Sequence, residues 1–317
     1  MVFDADGSKQ GEIGRQGEGP GELSSLTMGL YLTEDGALVI PDLGNSRVTF
    51  FNADASYSHS FRFDPMAGLA LAWGTQGRDR ILKEVRPLPS FPGMPARGPK
   101  EIGIMSIDHD GTELGMLTTF DLPPAMAMGP GGKMRSRVFA EAPVWTTTPE
   151  GHFIVGRSGT YSLEVRDVEG NLLSEISRDV QRKAVTAEVR DQVIRQLEEQ
   201  MAEMEMPPAA KEMIGDPIFP DSLPVIGRLQ NGPNGTILVR RGHGLLDAFS
   251  PDGGDPSEED GPSAYDVHSL QGEYLGILEF PARYSLRAVR GSRVYGVAKD
   301  DFDVETVVVY EVSRPGG

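Results

Sequence analysis

The sequence predicts an all-β chain of repeated four-stranded units, the plan of a β-propeller, and three observations carry that expectation. Short β-type runs separated by tight turns recur along the 317 residues. Two kinds of turn can be placed, and they alternate without a miss. Third-to-fourth-strand turns fall near Gly7, Asp54, Gly111, Gly170 and Gly272, and first-to-second-strand turns near Gly36, Gly77, Gly151, Gly235 and Gly291. Composition agrees, because 39 Gly and 24 Pro call for many turns.

Taken in order, the first meander runs through residues 37–40, 47–51 and 57–63, with breaks at 42–46 and 52–54. The theme returns at 151–155, 161–165 and 171–176, and again at 236–239, 265–268 and 273–280. First strands are expected near 26–31, 69–73, 144–148, 225–229 and 284–289. Residues 306–310 read as a third strand of the last unit, yet residues 1–3 also read as a strand, and both cannot fill one slot. The preferred expectation is a six-bladed propeller whose first blade is incomplete, its early strands lying upstream of Met1. A five-bladed ring closed by the N-terminal strand is the runner-up. Residues 1–317 are expected to form a single domain.

One segment breaks the pattern. Residues 184–206 lack Gly and Pro, and Val189, Val193, Leu197, Met201 and Met204 follow at steps of four, four, four and three. That spacing makes a narrow apolar stripe on a helix, with Thr186 as N-cap and Pro207-Pro208 as the stop. The helix belongs to an excursion over 178–224 between blades, and its stripe is expected to lie on the propeller.

In a four-stranded blade the two kinds of short turn open on one side, and the remaining connections open on the other. The long stretches 87–100, 121–142, 178–224 and 242–264 all fall in the second class. Insertions gathered on one side of a repeat array mark a working surface. Second strands end there in Asp42, Arg86, Arg157, Arg240 with Arg241, and Lys299, and His243 stands in the last of the long loops. Arg86, Arg157, Arg240, Arg241 and His243 are therefore the candidate binding residues, since guanidinium groups hold carboxylate or phosphate through paired hydrogen bonds. The alternative is that each Arg pairs with a neighbouring Asp or Glu. Met126, Met128 and Met134 share one long loop, and Met201, Met204, Met206 and Met213 the helical excursion. Such flexible thioethers suit either an adaptable docking patch or the filling of gaps.

Several classes are excluded or disfavoured. Thirty basic against 47 acidic residues leave a net charge of −17, which repels a nucleic-acid backbone. The absence of cysteine excludes disulfides, thiol nucleophiles and thiolate-bound metals. No run approaches the ~20 apolar residues of a membrane span, and the N-terminus has neither the basic nor the apolar region of a signal peptide. Gly14 to Gly21 lacks the Gly-Lys-Ser/Thr of a phosphate loop, and no Gly-x-Ser-x-Gly elbow occurs. The five histidines show no zinc spacing, and no metal ligands are nominated. The acidic runs 257–260 and 300–303 lack the calcium register, so no motif indicates calcium or any other cofactor. Asp42, Asn45 and Arg47 read as a structural turn motif, with Asp and Asn bonding the turn's backbone and Arg47 pairing with Asp42.

Those same residues carry a likeness. Gly14-Arg15-Gln16-Gly17-Glu18-Gly19-Pro20-Gly21-Glu22-Leu23, followed by residues 35–48 with Asp42, Asn45 and Arg47, resembles an NHL-type repeat. The chain is similar to bacterial six-bladed β-propeller proteins of that group, sharply over residues 1–63 and again at 235–239, 265–278 and 293–312. No second Asp-x-x-Asn-x-Arg appears. The resemblance implies a propeller and an extracytoplasmic location, but not one function. A non-catalytic binding or scaffold module is expected, presenting its long loops to a protein partner or an anionic small molecule. The alternative is a metal-dependent lyase or lactone hydrolase with its metal over the central channel. The expected first strands are poor in Asp, Glu, Asn and His, which favours the binder.

Overall fold

The computed structural model describes residues 2–4, 6–67, 69–87, 99–203, 207–242 and 262–313. Among them the chain is an all-β propeller of five blades, four of them four-stranded. Blade 1 consists of Tyr31–Leu32, Leu38–Asp42, Arg47–Phe51 and Tyr57–Arg62. Blade 2 is Leu69–Gln76, Arg80–Arg86, Ile102–Asp108 and Glu113–Phe120. Blade 3 is Pro143–Thr147, Phe153–Arg157, Ser162–Arg166 and Leu172–Ser177. Blade 4 is Ile226–Asn231, Ile237–Arg241, Ser263–His268 and Tyr274–Phe280. Blade 5 has three strands, Tyr284–Arg290, Arg293–Lys299 and Glu305–Glu311. Within each blade the strands lie in chain order.

Among the described residues the count is the five of the runner-up rather than six, but the expected closure of the last blade by the N-terminal strand is not found. Val2–Phe3 forms a separate two-stranded ladder with Lys9–Gly11. Nine of the ten predicted turns join consecutive strands of a blade as the sequence placed them, because each is set by local chemistry, and the tenth, at Gly7, joins the two strands of the separate ladder. In blade 1, Thr33 N donates to Ala37 O and Gly36 N to Thr33 O, and Gly36 takes a φ of 85°. In the third-to-fourth turns, Asp108 accepts from the amides of Asp110 and Thr112, and Asp167 from that of Asn171. An aspartate that bonds the backbone two to four residues on closes the turn by itself.

The chain divides into two compact units. The first comprises residues 1–122 with the turn segments 147–153 and 166–171, and the second the remainder. In the first, strand alternation separates two cores. Val39, Val48 and Phe50 join Phe61, Trp73, Ile81 and Ile107, while Leu38, Ile40 and Phe51 point the other way onto Ile13 and Leu23. In the second, Ile237 and Val239 pack with Ile154, Leu163, Val165 and Ile176 of blade 3. Leu238, between them in sequence, packs with Tyr265, Phe280, Tyr284, Leu286 and Val294. The second strands are thus buried on both faces, which is why they read as unbroken apolar runs.

Two turn glycines set the spacing between neighbouring blades. Gly111, at φ 90°, lies against Phe61 of blade 1, where a Cβ would come 2.7 Å from the ring. Gly272, at φ 93°, lies against the carbonyl oxygen of Glu175 in blade 3, where a Cβ would collide. Both positions need glycine for conformation and for room.

Candidate functional site

Two of the predicted insertions interlock in the second unit. Residues 121–142 contain a hairpin of Met126–Met128 with Met134–Ser136. Residues 178–224 contain helix α1, Ala187–Glu203, and the short helix α2, Pro208–Glu212. The main chains of the two insertions bond directly. Met134 N donates to Met213 O at 2.7 Å, Gly215 N to Met134 O at 2.8 Å, Ile218 N to Ser136 O at 2.8 Å and Val138 N to Ile218 O at 3.0 Å. Arg135 Nε adds a bond to Asp216 O at 2.7 Å.

Helix α1 starts as its sequence indicates, with Val189 N donating to Thr186 Oγ1 at 3.4 Å. Its stripe of Val189, Val193 and Leu197 packs on Val138, Phe139, Val185, Phe219 and Leu223. The expectation that the stripe would lie on the propeller is corrected, because its partners belong to the insertions themselves. Phe139 holds a φ of 56° while buried in this cluster. A bulky residue in that region costs of order 1–3 kcal/mol, and here the packing around the ring offsets it. Of the methionines in the two insertions, Met134 and Met213 are brought together, by the bond from Met134 N to Met213 O. Met134 is half-buried at the junction, while Met126, Met128 and Met213 are exposed. Met204 and Met206 lie outside the described residues.

The nominated cations are placed as follows. Arg86 Nε donates to Glu84 Oε1 at 2.6 Å on its own strand. Arg241 Nε lies 3.1 Å from Asp266 Oδ2, and Lys299 lies 3.7 Å from Glu305. Arg157 and Arg240 are half-buried and engaged by neighbouring groups. His243 lies outside the described residues, as do most of the long stretches 87–100 and 242–264 and the acidic run 257–260.

Arg241 leads to a polar cluster that the sequence reading missed. Asp266, whose side chain is 0% exposed, receives Tyr161 Oη at 2.9 Å, and Arg178 Nη1 stands 2.9 Å from the same Oδ2. Tyr161 Oη is also 2.8 Å from His268 Nε2. With the phenol proton given to Asp266, His268 must carry its proton on Nε2 and donate it to the phenol oxygen. Arg178 lies over the Tyr274 ring at 4.0 Å. Burial, with the adjacent Asp266 carboxylate, pushes the Tyr161 phenol far up. Burial also lowers His268, although Asp266 acts against it. The cluster ties blade 3 to blade 4. One signal was readable: Asp266 and His268 are two apart on a strand, so they share a face.

In the first unit, Asp42 is equally buried and takes its partners from nearby backbone and amides. Its carboxylate accepts from Ser24 N at 2.9 Å, Asn45 N at 3.2 Å, Asn45 Nδ2 at 2.8 Å and the Ser24 hydroxyl. Burial raises this carboxyl, but the bonds from Ser24 and Asn45 outweigh it and hold the group below the ordinary carboxylate value. Arg47 departs from the expected pairing with Asp42. It donates to the carbonyls of Glu18 at 3.0 Å, Gly19 at 2.9 Å and Glu22 at 2.5 Å. The reason is the fold of the glycine-rich segment, where Arg15–Gln16 pairs in parallel with Glu22–Leu23 and turns its carbonyls toward the blade. Asn45 Nδ2 also reaches Gly17 O at 2.9 Å.

No protein-family model matches the chain, and no curated protein is similar to it in sequence. Several solved structures align with it. A member of the DUF4221 family from Bacteroides vulgatus aligns with a TM-score of 0.52 at 12% identity, over 98% of this chain and 85% of that one. A Bacteroides fragilis protein aligns at 0.47 with 10% identity, over 94% and 73%. A gluconolactonase from Xanthomonas campestris aligns at 0.38 with 13% identity, over 87% and 70%. At 12% identity the likeness to the DUF4221 protein is one of fold.

Proposed function

We propose that the chain is a non-catalytic binding or scaffold propeller, and that the two interlocked insertions of the second unit receive a protein partner. The observation that carries this reading is the main-chain lock between residues 134–138 and 213–218, which sets exposed Met126, Met128 and Met213 on an ordered base. Thioethers on a rigid support offer adaptable apolar contact at low ordering cost. A protein partner is favoured over an anionic ligand because Arg86 and Arg241 already have carboxylate partners. The likeness of residues 14–48 to an NHL-type repeat supports an extracytoplasmic setting. No described helix is long and apolar enough to cross a membrane.

The test is site-specific photocrosslinking in the source cells, with the reactive residue placed at Met126 or Met213 and, as controls, at Asp54 or Asp79. The reading expects one discrete adduct from the methionine positions and none from the controls. Equal labelling at all four positions, or none, would overturn it. Stoichiometric calcium or zinc in the purified protein, found by elemental analysis, would move the chain to the class of metal-dependent propeller enzymes.

A further inference from the structure

The third strand of each of blades 1 to 4 is covered by a fourth, six to eight residues long. Each covering strand buries one large apolar residue near its end, namely Phe61, Phe120, Ile176 and Phe280. In blade 5 the third strand, Glu305–Glu311, is the last of the sheet among the described residues, and its only ladder is to Arg293–Lys299. The uncovered strand is apolar in its middle, with Val307 73% and Val309 47% exposed. Phe302, in the turn before it, is also exposed.

The backbone on this edge is ready to pair. Val312 N donates to Ser292 O, and the register from Glu305 to Glu311 has no irregularity. Antiparallel pairing alternates the direction of its bonds, so the N–H and C=O groups of Val307 and Val309 face the open side. Protein sheets protect such edges or use them to add a strand.

Charge selects the occupant. Glu305 and Glu311 flank the apolar residues, and both are exposed although they contact Lys299 and Arg293. The preceding turn adds Asp300, Asp301 and Asp303. A second copy of this chain, paired antiparallel about Val308, would set Glu305 opposite Glu311 at both ends, in molecules that each carry a net charge of −17. We infer that this edge receives an extended segment of a partner protein, antiparallel, apolar at its centre and basic at both ends. This interface is separate from the methionine surface.

The probe is a fluorescein-labelled seven-residue peptide with Lys at each end and alternating Val and Thr between, titrated with the full chain in low salt and followed by anisotropy. Saturable binding is expected, at least tenfold weaker for the same peptide ended with Glu, and the gap between the two should narrow at high salt as attraction and repulsion are both screened. V307P removes an amide that faces the open side and leaves the internal ladder in place, so it should weaken the Lys peptide at least tenfold. V309K, which adds a like charge, should do the same without any backbone change. Circular dichroism melts identify a variant that has lost its fold. Absence of saturable binding, equal binding of both peptides, or binding untouched in folded V307P and V309K would overturn the inference. Concentration-dependent dimers abolished by V307P would also overturn it, by giving the edge to a second copy.

Discussion

Asp42 in the first unit and Asp266 in the second are both withdrawn from water, with relative exposures of 0% and 1%, yet they are compensated by different means. Asp42 takes its hydrogen bonds from the amides, hydroxyl and backbone of Ser24 and Asn45. Asp266 takes two guanidinium groups and a phenol, from Tyr161, Arg178 and Arg241. The first arrangement keeps a buried charge with neutral dipoles, while the second balances it with opposite charge. The difference teaches that a buried carboxylate does not by itself mark chemistry. Asp42 fastens a loop to its blade, and Asp266 fastens one blade to the next.

The largest expected effect breaks the second arrangement. Asp266→Ala leaves Arg178, Arg241 and Tyr161 without their common acceptor; removing one partner of a buried ion pair costs about 3–5 kcal/mol, and the lower end applies here because water can reach the Arg178 and Arg241 side chains, 29% and 45% exposed. Urea unfolding of the full chain should show that loss; a loss under about 1 kcal/mol would mean that water replaces the carboxylate. Asp42→Ala should cost less, about 1–3 kcal/mol, because the orphaned donors are neutral. It should also release residues 14–23, read as faster tryptic cleavage at Arg15, whereas Asp266→Ala should leave that site as slow as before.

The smallest effect is in pH. His268 sits below its ordinary value of 6.5 because it is buried. Below that pH the unfolded chain takes up a proton that the folded chain refuses, so stability must fall as pH drops through 6.5 toward the folded value. The slope from one such group is at most about 1.4 kcal/mol per pH unit. His268→Gln should flatten it between pH 7.5 and 5.5 in parallel urea titrations. Asp42 is depressed instead, so its contribution persists in that window and is lost only as pH falls through the carboxylate range.

The two clusters also divide what the sequence made legible. The turns at Gly36, Gly111 and Gly151 were readable because the residues that close them are adjacent in the chain. Asp42 and Asn45 stood out for the same reason, while the true partners of Arg47 depended on how residues 15–23 fold back. Tyr161 and Asp266 are 105 positions apart, and nothing in either neighbourhood announces the other. The interlock of 134–138 with 213–218 is of this kind too. Each insertion was visible as length, but pairing between two irregular segments carries no periodicity to read.

Gly111 and Gly272 each rest a bare Cα on the preceding blade, at Phe61 and at Glu175. The pitch of the array at these places is thus gauged by the absence of an atom, which no rotamer change can adjust. A blade moved, duplicated or exchanged with another would have to bring its own gap along, and even one added methyl would be felt by the neighbour before it was felt by the turn that carries it.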